Sequence, residues 1–393
     1  MSDSKIVVQN TESPPADGAA QSETRLPRAL QILVLAIPLV LFLGILAGIE
    51  VIVRATLPHI STLSLFVSSP QQQDGFTDSE NVTIFEGDPL LFWRVRPNLD
   101  QVIWDFTVVS TNEQGLRHAG PIGPRREESR RIVTLGDSVT FGYRIPVVFP
   151  EWPDDYDREA LPYPLAMERD LRAANPDRAI EVINLAIPGY TSHQGLAWLR
   201  RDIEKLKPDL VIACFGWNDI NLRAATDREM MKTDWYRVAL RRAGAASQVI
   251  SHLVSWQRKK QPPKAAAFAE PVLRVPVEDY VDNFLKIARL AGTHGASVAV
   301  IGPVYHNSLQ NPAEGERMTR QRDALRNAMQ EAGIPYLEIP ELTEQSHPEN
   351  LMLFGELVHP NKRGHRLMEV RLLEFLSRRG MLWDLSLPEL YAE

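Results

Sequence analysis

From Arg131 onward the sequence alternates short, predominantly apolar runs with amphipathic stretches, and few folds accept that rhythm. The apolar runs are Ile132 to Leu135, Ile180 to Leu185, Leu210 to Phe215, Val298 to Ile301 and Tyr336 to Ile339. Between them, Leu196, Leu199, Ile203 and Leu206 recur at helical spacing, as do Val281, Phe284, Leu285, Ala288 and Ala291. A strand with apolar residues at adjacent positions offers an apolar side chain to each face and is best covered on both sides. Such strands alternating with helices predict a parallel sheet with helices on both faces, an α/β domain. Pro176 and Lys207-Pro208-Asp209 supply helix stops between them.

The chain ahead of this domain divides by composition. Residues 1–28 are rich in Ser, Thr, Gln, Glu, Pro and Gly, bury too little apolar surface to order themselves, and are expected to form a disordered tail. Ile32 to Ile49 then runs for 18 residues without a charge. That is enough, with its flanks, to cross a hydrocarbon layer of ~30 Å, so residues 29–54 are expected to be a transmembrane helix. A cleaved signal peptide is the competing reading; the run exceeds a usual signal core and lacks small residues at a cleavage spacing. Arg25 and Arg28 precede the span and Arg54 follows it, which favours a cytoplasmic tail and a periplasmic or extracellular main domain on a single-pass anchor. Residues 55–130 carry short alternating runs, including Leu91 to Arg96 and Val102 to Val109, and predict a small β-rich preface in which Trp93 and Trp104 pack. Asn81-Val82-Thr83 matches a glycosylation acceptor.

Residues 221–276 interrupt the strand–helix rhythm of the main domain, 131–393, with a helical stretch around Trp235 to Trp256 and a basic, proline-bearing Arg258 to Lys264. Their place directly after a strand end predicts an insertion overhanging whatever site lies there, or a solvated loop. A net charge of −7 offers no footprint for nucleic acid, and the lone Cys214 rules out an intrachain disulfide or a thiolate metal cluster.

In a doubly wound sheet, ligands sit past the carboxyl ends of the strands, so the residues there carry the function. The first strand delivers Gly136-Asp137-Ser138, a triplet that by itself is equally the N-cap of a following helix. The second leads to Pro188-Gly189-Tyr190, the third to Gly216-Trp217-Asn218-Asp219, and Gly355-Glu356 to His359-Pro360 precedes the last helix. A serine hydroxyl needs a base to take its proton, and the tetrahedral intermediate needs fixed donors around its oxyanion. His359 can be that base, Glu356 three residues earlier can hold its imidazole, and the Gly189 N–H and Asn218 amide can face an oxyanion. His365 is a second histidine nearby in sequence, expected to pack inside the last helix. A metal site from Glu356, His359 and His365 would need a helix where Gly355 and Pro360 place a loop, and no metal or other cofactor is expected.

Taken in order, these blocks resemble the SGNH, or GDSL-like, hydrolase superfamily over about Arg131 to Arg379. The resemblance implies a three-layer α/β/α domain around a parallel, flavodoxin-like sheet, with Ser138 as nucleophile and His359 as base. It further implies an oxyanion hole of the Ser138 N–H, Gly189 N–H and Asn218 amide, and makes Asp219 a structural acid outside the catalytic set. Where this chain has Glu356 the family usually has aspartate; the longer side chain can still reach Nδ1, and a Ser–His dyad using a backbone carbonyl is the alternative. The implied function is a membrane-anchored serine esterase or deacylase acting on a small acyl ester, an acylated glycan or a lipid. An O-acyltransferase would use the same residues, and a glycan- or envelope-binding domain could keep the fold without the chemistry.

Overall fold

The computed structural model describes residues 27–57, 84–147, 157–231, 239, 242–244, 246–260, 270–309, 311–344, 346–353 and 355–388. The expected disordered tail, the Asn81 acceptor and parts of the 221–276 insertion, including residues 232–238 and 261–269, lie outside them.

The chain forms two units, Met1–Leu57 and Pro58–Glu393. In the first, α1 (Arg28–Thr56) contains a 21-residue stretch, Ala36–Thr56, long and apolar enough to cross a membrane, none of it buried. Its one acid, Glu50, lies 2.6 Å from Arg54, one turn further on, which neutralises the charge within the helix.

In the second unit, β1 (Phe85–Asp88) pairs with β2 (Phe92–Val95), and β3 (Val102–Trp104) with β4 (Thr107–Val109), as two antiparallel ribbons. The alternating run Val102 to Val109 is therefore a tight hairpin rather than one strand. Its tip is Asp105-Phe106, both in the left-handed region at φ 44° and 60°, the conformation that lets a two-residue turn match the twist of its strands.

The main sheet is built from β5 (Arg130–Gly136), β6 (Ile180–Ala186), β7 (Leu210–Cys214), β10 (Ser297–Ile301) and β11 (Tyr336–Leu337), all parallel, in spatial order β6-β5-β7-β10-β11. This is the flavodoxin-like order expected from the sequence. The connections carry the short α2 (Ser138–Phe141), α3 (Tyr163–Ala174), α4 (Ser192–Leu206), α5 (Asp227–Met230), α6 (Gln248–Lys260), α7 (Val277–Thr293), α8 (Pro312–Glu331), α9 (Pro340–Glu344) and α10 (Lys362–Arg378). Adjacent residues of each strand feed opposite faces. Ile132, Val182, Ile212 and Ala299 pack with Met167 and Leu171 of α3 and Met368 and Leu372 of α10. Val133, Ile183, Val211 and Val300 pack with Leu199 of α4, Phe284 of α7 and Leu325 of α8, and Phe85, Trp93 and Trp104 of the ribbons join that same core. The insertion is closed at its base by the two-residue strands β8 (Leu222–Arg223) and β9 (Val272–Leu273), paired antiparallel.

Because the connection leaving β5 runs toward β6 and the one leaving its other neighbour β7 runs the opposite way, toward β10, the carboxyl ends of β5 and β7 border a crevice. Ser138 and Asn218 follow those two strands.

Candidate active site

Gly136 ends β5, where a Cβ would lie 2.1 Å from the Thr140 hydroxyl, so the chain can double back only without a side chain there. Asp137 then caps α2, its Oδ1 accepting the Val139 N–H at 3.0 Å. The capping reading of the triplet falls to Asp137, and Ser138 is the first helical residue, its Oγ 2.8 Å from His359 Nε2. Arg117, buried and reaching in from the stretch after β4, binds the Phe141 and Gly142 carbonyls at 2.7 and 3.0 Å and so holds the far end of the same helical turn. Burial pushes its guanidinium down to about 10, still charged at neutral pH.

Ile187-Pro188-Gly189-Tyr190 is a reverse turn closed by Tyr190 N–H to the Ile187 carbonyl at 3.1 Å. Proline at its second position and glycine at φ 84° at its third are what a type II turn requires. In such a turn the third N–H is not used internally, and among the described residues neither the Gly189 nor the Ser138 N–H donates to a protein acceptor. Trp93 of β2 lies beneath the turn, its Nε1 donating to the Pro188 carbonyl at 3.2 Å, and a Cβ on Gly189 would meet its ring at 3.1 Å. Just past β9, the closing strand of the insertion, buried Arg274 donates to the Gly189 carbonyl at 2.8 Å while paired with Asp227 at 3.0 Å.

Asn218, after β7, is buried with its Nδ2 3.5 Å from Asp137 Oδ2, which orients one amide hydrogen and leaves the other for a ligand. Burial pushes the Asp137 carboxyl up to about 6. Asp219 beside it is buried and serves α4 instead, accepting the Ser192 N–H at 3.0 Å and its hydroxyl at 2.6 Å; burial pushes it up to about 8 against those donors.

The loop Gly355 to His359 is pinched at its base, where Leu353 N–H donates to the His359 carbonyl at 2.9 Å. His359 Nδ1 is hydrogen-bonded to Glu356 Oε2, so its partner is the carboxylate and not a backbone carbonyl. An Nδ1–H donating to Glu356 leaves Nε2 free to accept from Ser138. Burial tends to raise the Glu356 carboxyl, but the His359 bond and the Arg144 charge outweigh it and hold the group below the ordinary carboxylate range. His365 lies apart from this line: its Nδ1 accepts the Tyr163 N–H at 3.3 Å, and burial, with the Arg117 charge adding, pushes its imidazole down to about 3.

The structure thus brings Ser138, His359 and Glu356 into one hydrogen-bonded line. Sequence reasoning missed Arg117, Arg144 and Arg274, which grip the site's backbone or its acid; no local pattern marks an arginine whose partners lie far away in sequence.

Comparison with curated protein sequences gives no match. Among solved structures, the chain is similar to an acetylxylan esterase from Geobacillus stearothermophilus, at 16% identity and a TM-score of 0.40, covering 65% of this chain and 95% of that one. A lipase/acylhydrolase from Enterococcus faecalis matches at 19% identity and 0.40, covering 64% and 96%. An α/β hydrolase from the metagenome of Lake Arreo, Spain, matches at 18% and 0.41, covering 66% and 98%. A family model decides the matter: that of the GDSL-like lipase/acylhydrolases matches residues 134–367, more than half of the chain. The matched segment opens inside β5 just ahead of Ser138 and closes beyond His359, and so contains all four strand-end loops; this chain belongs to the GDSL-like lipase/acylhydrolase family, hydrolases of ester bonds.

Proposed function

We propose that this chain is a membrane-anchored serine esterase or deacylase working through an acyl-serine intermediate. The observation that carries the reading is the line from Ser138 Oγ to His359 Nε2 at 2.8 Å and on from His359 Nδ1 to Glu356. Ser138 Oγ attacks the ester carbonyl carbon while its proton passes to Nε2, and the carbonyl electron pair moves onto oxygen. The Ser138 N–H, Gly189 N–H and Asn218 Nδ2 surround that oxyanion. When the intermediate collapses, the alcohol leaves with the proton from Nε2. Water then repeats the sequence on the acyl-serine, giving up a proton to Nε2 as it attacks; the acid departs and Ser138 recovers its hydrogen.

The anchor is α1, and Arg25 and Arg28 ahead of its apolar span favour a domain on the outer side of the membrane, where acylated glycans and lipids are the ester classes at hand. A fluorophosphonate probe tests the chemistry. Labelling of the folded protein that vanishes in Ser138→Ala is expected, with turnover of 4-nitrophenyl acetate falling by about 10⁴-fold or more. A folded wild-type chain that takes no label would return it to a binding role.

A further inference from the structure

The acid of the proposed triad is the residue that departs from the family's usual aspartate, and it is also the one with the most elaborate support. While Glu356 Oε2 faces His359, Oε1 accepts from Arg144 Nη1 at 3.1 Å. Arg144 Nη2 in turn donates to Asp105 Oδ1 at 3.1 Å, and the other oxygen of Asp105 accepts the Tyr143 hydroxyl. The guanidinium lies over two rings, 4.9 Å from Tyr143 and 5.5 Å from Phe106. The Tyr143 ring closes the circuit by packing on the His359 imidazole with centroids 4.5 Å apart. The Arg144 side chain is 14% exposed, less than Glu356 at 25%.

A second observation is independent of these contacts. Asp105, Phe106 and Arg144 all sit at positive φ, at 44°, 60° and 56°, and none is glycine. Non-glycine residues persist there where the surroundings over-determine them, and such strain gathers at functional sites. The Arg144 N–H is tied to Thr107 Oγ1 at 2.8 Å, so the hairpin tip and the segment after α2 are held as one piece.

We propose that Arg144, braced by the Asp105–Phe106 tip of the β3–β4 hairpin, is the positioning residue that allows a glutamate to serve in this triad. A glutamate has one more rotatable bond than an aspartate; fixing its outer oxygen selects the rotamer that puts the inner one on Nδ1. The planar fork of an arginine can bridge two carboxylates while stacked between two rings, a task for which the point charge of a lysine is poorly shaped. The hairpin ahead of the sheet thereby becomes part of the active site. This inference rests on the reading of Ser138, His359 and Glu356 as the catalytic line.

A double-mutant cycle on the full chain tests it, read by the rate of fluorophosphonate labelling and by kcat and KM for 4-nitrophenyl acetate. Arg144→Gln is expected to slow labelling and kcat by about 10- to 100-fold with KM within twofold, and Arg144→Lys to recover only part of the loss. In a Glu356→Gln background, where no carboxylate remains to be aimed, Arg144→Gln should cost less than about threefold more. Asp105→Asn, which loosens the brace without touching Glu356, should cost about three- to tenfold and show the same loss of effect beside Glu356→Gln; it carries the test if Arg144→Gln does not fold. Losses that multiply between the two sites, or an Arg144→Gln enzyme within twofold of wild type, overturn the inference. A wild-type chain that takes no label would instead defeat the catalytic reading itself, so the two failures are distinct.

Discussion

The two ends of the Ser138–His359–Glu356 line are built in different ways. The turns of the serine end are written locally, though Arg117 and Arg274 brace them from a distance: Gly136 permits the return of the chain, Asp137 caps the helix two residues on, and Pro188-Gly189 forms its own turn. The acid end is assembled from a distance, since Arg144 lies 212 positions before Glu356 and its brace, Asp105, a further 39. A nucleophile must sit in one reproducible elbow, which a few turn residues can encode. A flexible carboxylate on a loop can be aimed only by whatever the rest of the fold brings against it.

That contrast can be broken or sharpened, beginning with the oxyanion side. Asn218→Ala should lower kcat by about 10²- to 10³-fold with little change in KM, because its amide would act on charge that develops only in the transition state. A loss under threefold would mean that the backbone N–H groups suffice and the β7 end contributes little. Gly189→Ala addresses how far the serine end is truly local. A Cβ at φ 84° that also meets Trp93 at 3.1 Å should destabilise the fold by ~1–2 kcal/mol in urea unfolding. Full stability would show that the turn relaxes freely and that Trp93 beneath it is not a constraint.

The smallest catalytic effect is expected at His365, which belongs to neither end. His365→Gln keeps an acceptor toward the Tyr163 N–H and should leave turnover within about twofold at pH 7. Its signature is in stability instead. A folded-state value near 3 against an ordinary 6.5 means that the folded chain refuses a proton the unfolded chain accepts. The stability from this group is therefore present above pH 6.5 and is lost as pH falls toward 3. Between pH 7 and 4.5 the wild-type unfolding free energy should drop more steeply than that of His365→Gln. Equal slopes would sink the assignment of a buried neutral imidazole, and a large loss of turnover would move His365 into the catalytic set.

Much of the architecture was legible because it rests on short-range regularities. Predominantly apolar runs, alternating with helical periodicity, permit little besides a parallel sheet covered on both faces, and the five strands are found where those runs lie. The strand-end residues were legible for the same reason, since fold class alone says where ligands collect. The turn inside the alternating run Val102 to Val109 was not read from the sequence, because Asp-Phe at a turn tip carries no glycine or asparagine to announce positive φ; the antiparallel pairing of β3 with β4 reveals it.

The sequence by itself determined the α/β class, the apolar N-terminal helix and the order of the four loops, all of them consequences of composition and spacing along the chain. Only the tertiary structure decided that Glu356 reaches Nδ1 with its other oxygen gripped by Arg144. It also decided that Arg117 and Arg274 hold the backbone around Ser138 and Gly189, and that the hairpin before the sheet touches the acid. These are meetings between residues tens to hundreds of positions apart, and burial and charge pairing select them only once the chain has folded.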